Sequence, residues 1–419
     1  MKKQVIIAGA GAGSEESRTA ALVSAVEEAG LIIGPDRIVR SFAAKGKTVR
    51  SEYRPEVVRQ IVDEAQEENI LVLVTGDPGF YSAAYGMREK LSDYAPRILP
   101  GISSIAYFSA RIGIPYSNAL LVSAHGRELN LVSLVRRNRQ TFVLTGGNLV
   151  ELLERLSAYG YGDLEIYTGE DLSSDRERIR HGSAAELLRQ AGKEPFSVLS
   201  LMAVNNPKAE EAVPAGLPDD DFLRGKVPMT KREVRAVILS SLQLRADSVV
   251  VDIGSGTGSV AVEAALSAYK GTVYAVERKQ EALELIRANA IRFHVDNLRV
   301  VEGEAPEALE KLPVADAYFI GGSGGRLEEI LQWIRKKLQQ KRENDQPEEK
   351  KKPESGCRVV ISAITLQTLT KVVQILEEMH VRDDSWTQIQ VSRAHRTGGY
   401  DLMKAENPVF LLTADLSAR

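Results

Sequence analysis

"VVVDIGSGTGSV", residues 249–260, decides how the second half of this chain is read. A short apolar run empties into glycines at 254, 256 and 258, and a helical pattern begins near Ser259. Glycine tolerates positive φ and lets a ligand approach the backbone closely. The free N–H groups and the positive dipole end of the helix that follows then face the crevice at the strand ends. Ala261, Ala264, Ala265 and Ala268 form an inner stripe small enough to pack closely on a sheet. Glu277 ends the next strand, where an acid can accept from both hydroxyls of a ribose. The spacing is GxGxG rather than GxGxxG, and Asp252 stands just ahead of it. That pattern favours S-adenosylmethionine over a nicotinamide dinucleotide, with a turn that holds no cofactor as the third reading.

A second glycine turn, "QVIIAGAGAGSE", occupies residues 4–15. Around it the first half alternates strand-like and helix-like segments. "QVIIAG" is followed by a helical stripe of Leu22, Ala25, Val26 and Ala29. Then come "LIIG", the helix "PEVVRQIVDEAQEEN" and the strand "ILVLVTG". Such alternation implies a parallel sheet with ligands at the strand C-termini. "FSVLSLMAV", after residue 195, points to further, antiparallel strands. In the second half "SVVVDIG", "TVYAVE", "LRVVEG", "DAYFIGG" and "RVVISAI" repeat the alternation, and "TQIQVSRAH" with "PVFLLTAD" reads as a closing antiparallel pair.

The division falls at residues 205–228, "NNPKAEEAVPAGLPDDDFLRGKVP", where prolines deny ladder continuity and Asp219, Asp220 and Asp221 resist burial. The expected organisation is a domain over 1–206, a linker over 207–228 and a domain over 229–419. Residues 335–356, "RKKLQQKRENDQPEEKKKPESG", are almost wholly polar and read as a solvated helix end with a loop, with a tetrapyrrole or nucleic-acid contact as the alternative. With 54 Lys and Arg against 57 Asp and Glu, the net charge of −3 gives no global basic surplus for nucleic acid. A single cysteine, Cys357, excludes an internal disulfide and a CxxC metal site. No cluster of His, Cys and Asp has metal-ligand spacing. The opening "MKKQVIIAGAGAGSEES" breaks into glycines and acids and reads as a first strand rather than an export signal. No run has the ~18 apolar residues of a membrane span. The expected compartment is the cytoplasm.

Residues 217–415 resemble a known family at "VPMTKREVRAVILSSLQL", the glycine turn, "FIGGSGGRLEEIL" and "VSRAHRTGGYDLMKAENPVFLLTA". It is the C15-methylating, decarboxylating family of cobalamin biosynthesis. The resemblance implies a Rossmann-like class I methyltransferase fold. It implies an S-adenosylmethionine site lined by Thr230, Gly254, Ser255, Gly256, Thr257, Gly258, Glu277, Glu304 and Ala305. Glu304 departs from the family's usual Asp in "GDAP", and the polar stretch around 339–355 replaces a short turn.

Residues 3–206 resemble the tetrapyrrole methylases, most closely the C5-methylating precorrin enzymes. The resemblance rests on "TGDPGFYSAA", "LPGISSIAYFSARIGIPY", "VSAHGR", "LTGGN", "YTGEDLSSDRERIRHGS" and "LMAVNNP". It implies a two-subdomain α/β fold whose first glycine turn faces the substrate trough. A second S-adenosylmethionine site then lies at Gly76, Asp77, Gly79, Gly101, Ile102, Ser103 and Ser104, with Met202 and Ala203. For each of these glycines a tight turn alone is the alternative.

Together the halves resemble the family of fused, decarboxylating C5,15-methyltransferases acting on precorrin-6B or its cobalt counterpart. The resemblance implies a small-molecule tetrapyrrole partner, a homo-oligomer, and neither a nucleic-acid nor a membrane partner. Because such a substrate is a polycarboxylate, Arg127, Lys231, Arg278 and Arg393 are its candidate contacts, and His125 is a candidate proton carrier near the macrocycle, with a plain loop histidine as the alternative. Catalytic residues are not assigned. An RNA or protein methyltransferase, or one half acting as a non-catalytic scaffold, remains open at this point.

Overall fold

A computed structural model describes residues 3–43, 46–126, 128–210, 212–344, 357–381 and 384–416. The chain forms two compact units that are not contiguous in sequence. The first comprises Met1–Leu129, Asn138–Ser157 and Gly162–Pro207, and the second Asn130–Arg137, Ala158–Tyr161 and Lys208–Arg419. No helix among the described residues is long and apolar enough to cross a membrane.

In the first unit, β1 (Gln4–Gly9), β2 (Leu31–Gly34), β3 (Val49–Ser51), β4 (Asn69–Val74) and β5 (Arg97–Leu99) form a parallel sheet of order β3-β2-β4-β1-β5. β4, "NILVLV", is a nearly continuous apolar run, as a parallel strand covered on both faces requires. Its Ile70, Val72 and Val74 pack with Val58 and Val62 of helix Pro55–Glu64. Its Leu71 and Leu73 pack on the other face with Leu22 and Ala25 of helix Ala20–Glu28 and with Phe42. The helix expected to run through Asn69 stops at Glu64, because beyond Val62 the sequence "EAQEEN" offers no further apolar stripe. A second sheet contains β6 (Leu120–Ser123), β7 (Gln140–Leu144), β8 (Glu165–Glu170), β9 (Arg178–Gly182) and β10 (Ser200–Asn205) in the order β6-β7-β10-β8-β9. Only its β6–β7 pairing is parallel.

In the second unit the sheet is β13-β12-β11-β14-β15-β19-β16. The strands are β11 (Val249–Ile253), β12 (Thr272–Glu277), β13 (Leu298–Glu302), β14 (Ala317–Ile320), β15 (Arg358–Ala363), β16 (Asp384–Ile389) and β19 (Val409–Asp415). The first five are parallel, and β19 and β16 add antiparallel strands at one edge. The chain starts at β11, runs outward to β13, and then crosses back to β14. Strand order therefore reverses between β11 and β14, the topological position at which open α/β sheets bind ligands beyond the strand C-termini. Helix Ser259–Ser267 is buried on every side from Ser259 to Leu266, which its small, apolar sequence allows.

The expected closing pair is only partly as anticipated. β16 pairs with β19, but the "SRAH" end leaves the sheet as β17 (Ser392–Thr397) and pairs with β18 (Tyr400–Ala405). A two-residue Gly398-Gly399 turn joins Thr397 to Tyr400 and folds this segment on itself. The stretch 207–228, expected as a linker, packs within the second unit from Lys208 onward, with Phe222 in its core. Helix Leu131–Arg137 also belongs to this unit. Asp296, 2% exposed, accepts hydrogen bonds from the Val132 N–H at 2.9 Å, the Ser133 N–H at 3.1 Å and the Ser133 hydroxyl at 2.9 Å. Of the polar stretch around 339–355, helix Leu327–Asn344 covers the start, and 345–356 lies outside the described residues.

Candidate functional site

In the first unit the C-terminal ends of β1, β4 and β5 converge on three glycines. A Cβ on Gly9 would sit 2.4 Å from the Gly76 carbonyl oxygen, and one on Gly101 would sit 2.3 Å from the same atom. Gly76 has φ +64°, and its N–H donates to the Gly11 carbonyl at 3.1 Å. Asp77 ties the turns together: Oδ1 accepts from the Gly79 N–H at 2.8 Å, and Oδ2 from the Gly101 N–H at 3.1 Å. Ser103 caps helix Ser104–Ile112 by accepting from the Ala106 N–H, and Ile102 is exposed beside it. Gly76, Asp77, Gly79, Gly101, Ile102, Ser103 and Ser104 therefore share one rim.

Met202 and Ala203 lie buried on β10. Ala203 joins Phe108, Phe142 and Leu201 against helix Ser104–Ile112, with Phe80 of the "GDPGF" turn alongside. Alternation along the strand puts the Met202 side chain on the opposite face, beside its cross-strand partner Thr168. Met202 can therefore offer this rim only backbone.

The second-unit turn hangs from the end of β12. The Gly254 and Ser255 N–H groups donate to the Val276 carbonyl at 3.0 and 3.2 Å, and the Gly256 N–H donates to Glu277 Oε2 at 3.0 Å. Gly254, Gly256 and Gly258 have φ of +72°, +57° and +78°. A Cβ on Gly254 would sit 2.5 Å from the Gly322 carbonyl oxygen, so only glycine fits where the ends of β11 and β14 meet. Asp252 is 1% exposed; Oδ2 accepts from the Ser255 hydroxyl at 2.6 Å, and Oδ1 has no partner among the described residues. Burial, with the nearby Glu277 charge, pushes its carboxyl up to about 7, against the opposing pull of the Ser255 hydroxyl and the Ala261 N–H. The buried Thr257 hydroxyl likewise lacks a partner.

This cradle fits S-adenosylmethionine. Left-handed glycines let a ligand lie on the backbone, and two buried polar atoms await a partner. Glu277, the acid expected at the ribose, holds the Gly256 N–H with Oε2, and its Oε1 accepts from the Arg278 and Lys279 N–H groups at 2.8 and 3.0 Å. Ala305 is buried beyond the end of β13. Thr230 stands before helix Arg232–Leu242, with its carbonyl accepting from Arg235 at 2.6 Å.

The candidate substrate contacts are less free than a sequence suggests. Arg278 is ion-paired with Glu304, itself one of the residues expected to line the second unit's cofactor site. Arg393 donates to both carboxylate oxygens of Glu233 and, at 2.8 Å, to Glu406. Lys231 lies 4.0 Å from Asp219. His125 is exposed and packs against Gly146, where a Cβ would come within 2.7 Å of its ring. Arg127 lies outside the described residues. A polycarboxylate must therefore compete with, or exchange into, ion pairs the chain has already made.

Three buried polar side chains of the second unit escape a sequence reading centred on motifs. Arg235 and Glu263 are 0% and 2% exposed and form an ion pair, and Asn289 is 0% exposed. Each occupies a core-facing helical position, Arg235 in the stripe Val234, Ile238, Leu239, Leu242 and Asn289 in the stripe Ala282, Leu283, Ile286, Ala290. A polar residue in an apolar stripe is the signal that marks them.

A family model described as precorrin methyltransferase domain matches residues 221–415, and one described as tetrapyrrole (corrin/porphyrin) methylases matches residues 4–188. A probable cobalt-precorrin-6B C(15)-methyltransferase (decarboxylating) from Pyrobaculum calidifontis is 44% identical over 202 residues, 48% of this chain and 95% of its own. The crystal structure of a precorrin-6Y C5,15-methyltransferase from Geobacter metallireducens GS-15 shares 37% identity. It covers 49% of this chain and 100% of that one, with a TM-score of 0.43. A precorrin-6Y C(5,15)-methyltransferase (decarboxylating) from Sinorhizobium sp. is 30% identical over 409 residues, 96% of this chain and 92% of its own. With both halves matched along nearly their full length, the chain belongs to the family of precorrin-6Y C(5,15)-methyltransferases (decarboxylating), S-adenosylmethionine-dependent enzymes of cobalamin biosynthesis.

Proposed function

We propose that this chain methylates C5 and C15 of precorrin-6B, or its cobalt counterpart, and removes the carboxyl of the C12 acetate. C5 methylation is assigned to the tetrapyrrole methylase half, residues 1–206. C15 methylation and decarboxylation are assigned to the Rossmann-like half, residues 229–419. The single observation that carries the reading is the presence of an intact glycine turn in each unit: Gly76 and Gly101, packed against Gly9, in the first, and Gly254, Gly256 and Gly258 in the second. Each cradle is read as one S-adenosylmethionine site.

When bound, S-adenosylmethionine supplies an electrophilic methyl group. The meso carbons of a reduced tetrapyrrole are electron-rich, so the chain's own task is alignment rather than deprotonation. Orientation of this kind is worth roughly 7–11 kcal/mol of barrier. In the first unit Asp77 holds the turns after β4 and β5 in register. In the second, Glu277 fixes the glycine turn and the start of the next helix through three backbone N–H groups. Loss of carbon dioxide leaves an electron pair that the protonated, conjugated macrocycle accepts. Arg278, Arg393 and Lys231 are assigned to the substrate carboxylates and must exchange their present carboxylate partners to reach them.

We further place the enzyme in the cytoplasm as a homo-oligomer. A single cysteine, Cys357, leaves the chain without an internal disulfide, which is the usage typical of a reducing compartment. Titration of the intact chain with S-adenosylmethionine tests the two-site reading. Two equivalents bound per chain are expected, and one equivalent removes a unit from the reaction.

A further inference from the structure

Residues 216–231 form a strap with little regular structure of its own, one 3-10 turn at Asp219–Asp221. Its prolines and glycines deny it a ladder, so its backbone must find partners elsewhere. Three buried side chains supply them. Glu263 accepts from the Gly216 and Leu217 N–H groups at 2.6 and 2.9 Å. Arg235, paired with Glu263, donates to the Leu217 carbonyl at 2.5 Å and the Thr230 carbonyl at 2.6 Å. Asn289 accepts from the Leu223 N–H at 2.8 Å and donates to the Leu223 carbonyl at 2.9 Å. Asn289 also donates to the carbonyl of Thr257, inside the glycine turn, at 2.9 Å. One amide thus bridges the strap and the turn.

The strap lies directly on that turn. A Cβ on Gly256 would sit 2.8 Å from the Pro228 carbonyl oxygen. Glu263 stands on the helix that starts from the turn, and Asn289 on the helix that follows Glu277. The same two helices that carry the candidate cofactor cradle therefore also hold the strap.

We propose that Asn289 and the Arg235–Glu263 pair are positioning residues that clamp the strap 216–231 onto the glycine turn and so set the affinity of the second unit's S-adenosylmethionine site. The inference rests on the reading of that cradle as a cofactor site. None of the three side chains needs to touch the cofactor. They act through the backbone of Thr257 and Thr230, whose positions they fix.

The test uses the intact chain, whose first-unit site serves as an internal reference. In Asn289→Ala, calorimetric titration with S-adenosylmethionine is expected to retain two sites per chain. The second unit's affinity should be weaker by about tenfold or more, and the first unit's unchanged. The KM for S-adenosylmethionine in C15 methylation should rise in proportion, with little change in kcat. Loss of folded protein alone would lower site number and kcat and leave KM where it was. A second measurement needs no variant: trypsin cleavage of the native chain after the exposed Arg224 and Lys226 should slow when S-adenosylmethionine is added. Unchanged affinity and KM in Asn289→Ala, or a cleavage rate indifferent to the cofactor, overturns the clamp while leaving the cofactor reading intact. A native chain with no second-unit binding at all overturns the cofactor reading, and the clamp with it.

Discussion

The carboxylate of Asp77 accepts the Gly101 N–H at 3.1 Å, joining the turn after β4 to the turn after β5. Its other oxygen accepts the Gly79 N–H. One side chain thus fixes two loops that follow the two strands flanking β1 in the sheet. Asp77→Ala frees both N–H groups, at a cost of about 0.5–1.5 kcal/mol for each hydrogen bond lost. Expected is a loss of S-adenosylmethionine affinity in the first unit and of C5 methylation, with C15 methylation retained. Titration together with positional analysis of the methylated product checks this.

Gly254 and Gly322 impose the complementary test on the second unit. Gly254→Ala places a methyl group 2.5 Å from the Gly322 carbonyl at a residue whose φ is +72°. Both the clash and the left-handed backbone oppose the substitution. C15 methylation and decarboxylation are expected to fall together, and C5 methylation to continue. The same titration and product analysis distinguish the two outcomes.

Asp252 gives the second unit a pH dependence of known sign. Its carboxyl is ionised in the unfolded chain above its ordinary value of 3.8, but burial keeps it protonated in the folded unit until about pH 7. Between those values the folded state binds more protons, so this residue's contribution to stability declines as pH rises through the window and is level above it. Asp252→Asn removes the dependence, and the variant should gain on the native chain from pH 4 to 7 by up to roughly 4 kcal/mol. Both tryptophans, Trp333 and Trp386, lie in the second unit. Denaturant unfolding followed by their fluorescence therefore reports on the right part of the molecule.

Asp296 ties helix Leu131–Arg137 into the second unit through three hydrogen bonds. Asp296→Ala leaves two buried N–H groups at the start of that helix without this partner and should destabilise the second unit by roughly 3 kcal/mol. A fragment of residues 208–419 lacks the helix altogether. It should unfold at lower denaturant than the second unit does within the intact chain, again followed by tryptophan fluorescence.

What the sequence made legible follows from range. β1, β2 and the run from β11 to β15 each carry their own apolar pattern, and the two glycine turns, the Ser103 cap and Glu277 are local motifs. Helix Leu131–Arg137 was not legible as part of the second unit, because what holds it is a carboxylate 164 residues away from Val132. The pairings of Arg393 with Glu233 and of Arg278 with Glu304 were hidden for the same reason: they span 160 and 26 residues, and a lone arginine in a motif reads as available. Arg235, Glu263 and Asn289 did leave a trace, since each breaks an apolar stripe. That trace marks burial, and only the folded chain shows that what they hold is the strap over the glycine turn.

The most direct test of the whole reaction is a mass spectrum of precorrin-6B incubated with S-adenosylmethionine and the intact chain. The expected product carries two added methyl groups and has lost one carboxyl group as carbon dioxide. A product with one added methyl and every carboxyl retained contradicts the role assigned to the second unit, and an unchanged tetrapyrrole contradicts the substrate itself.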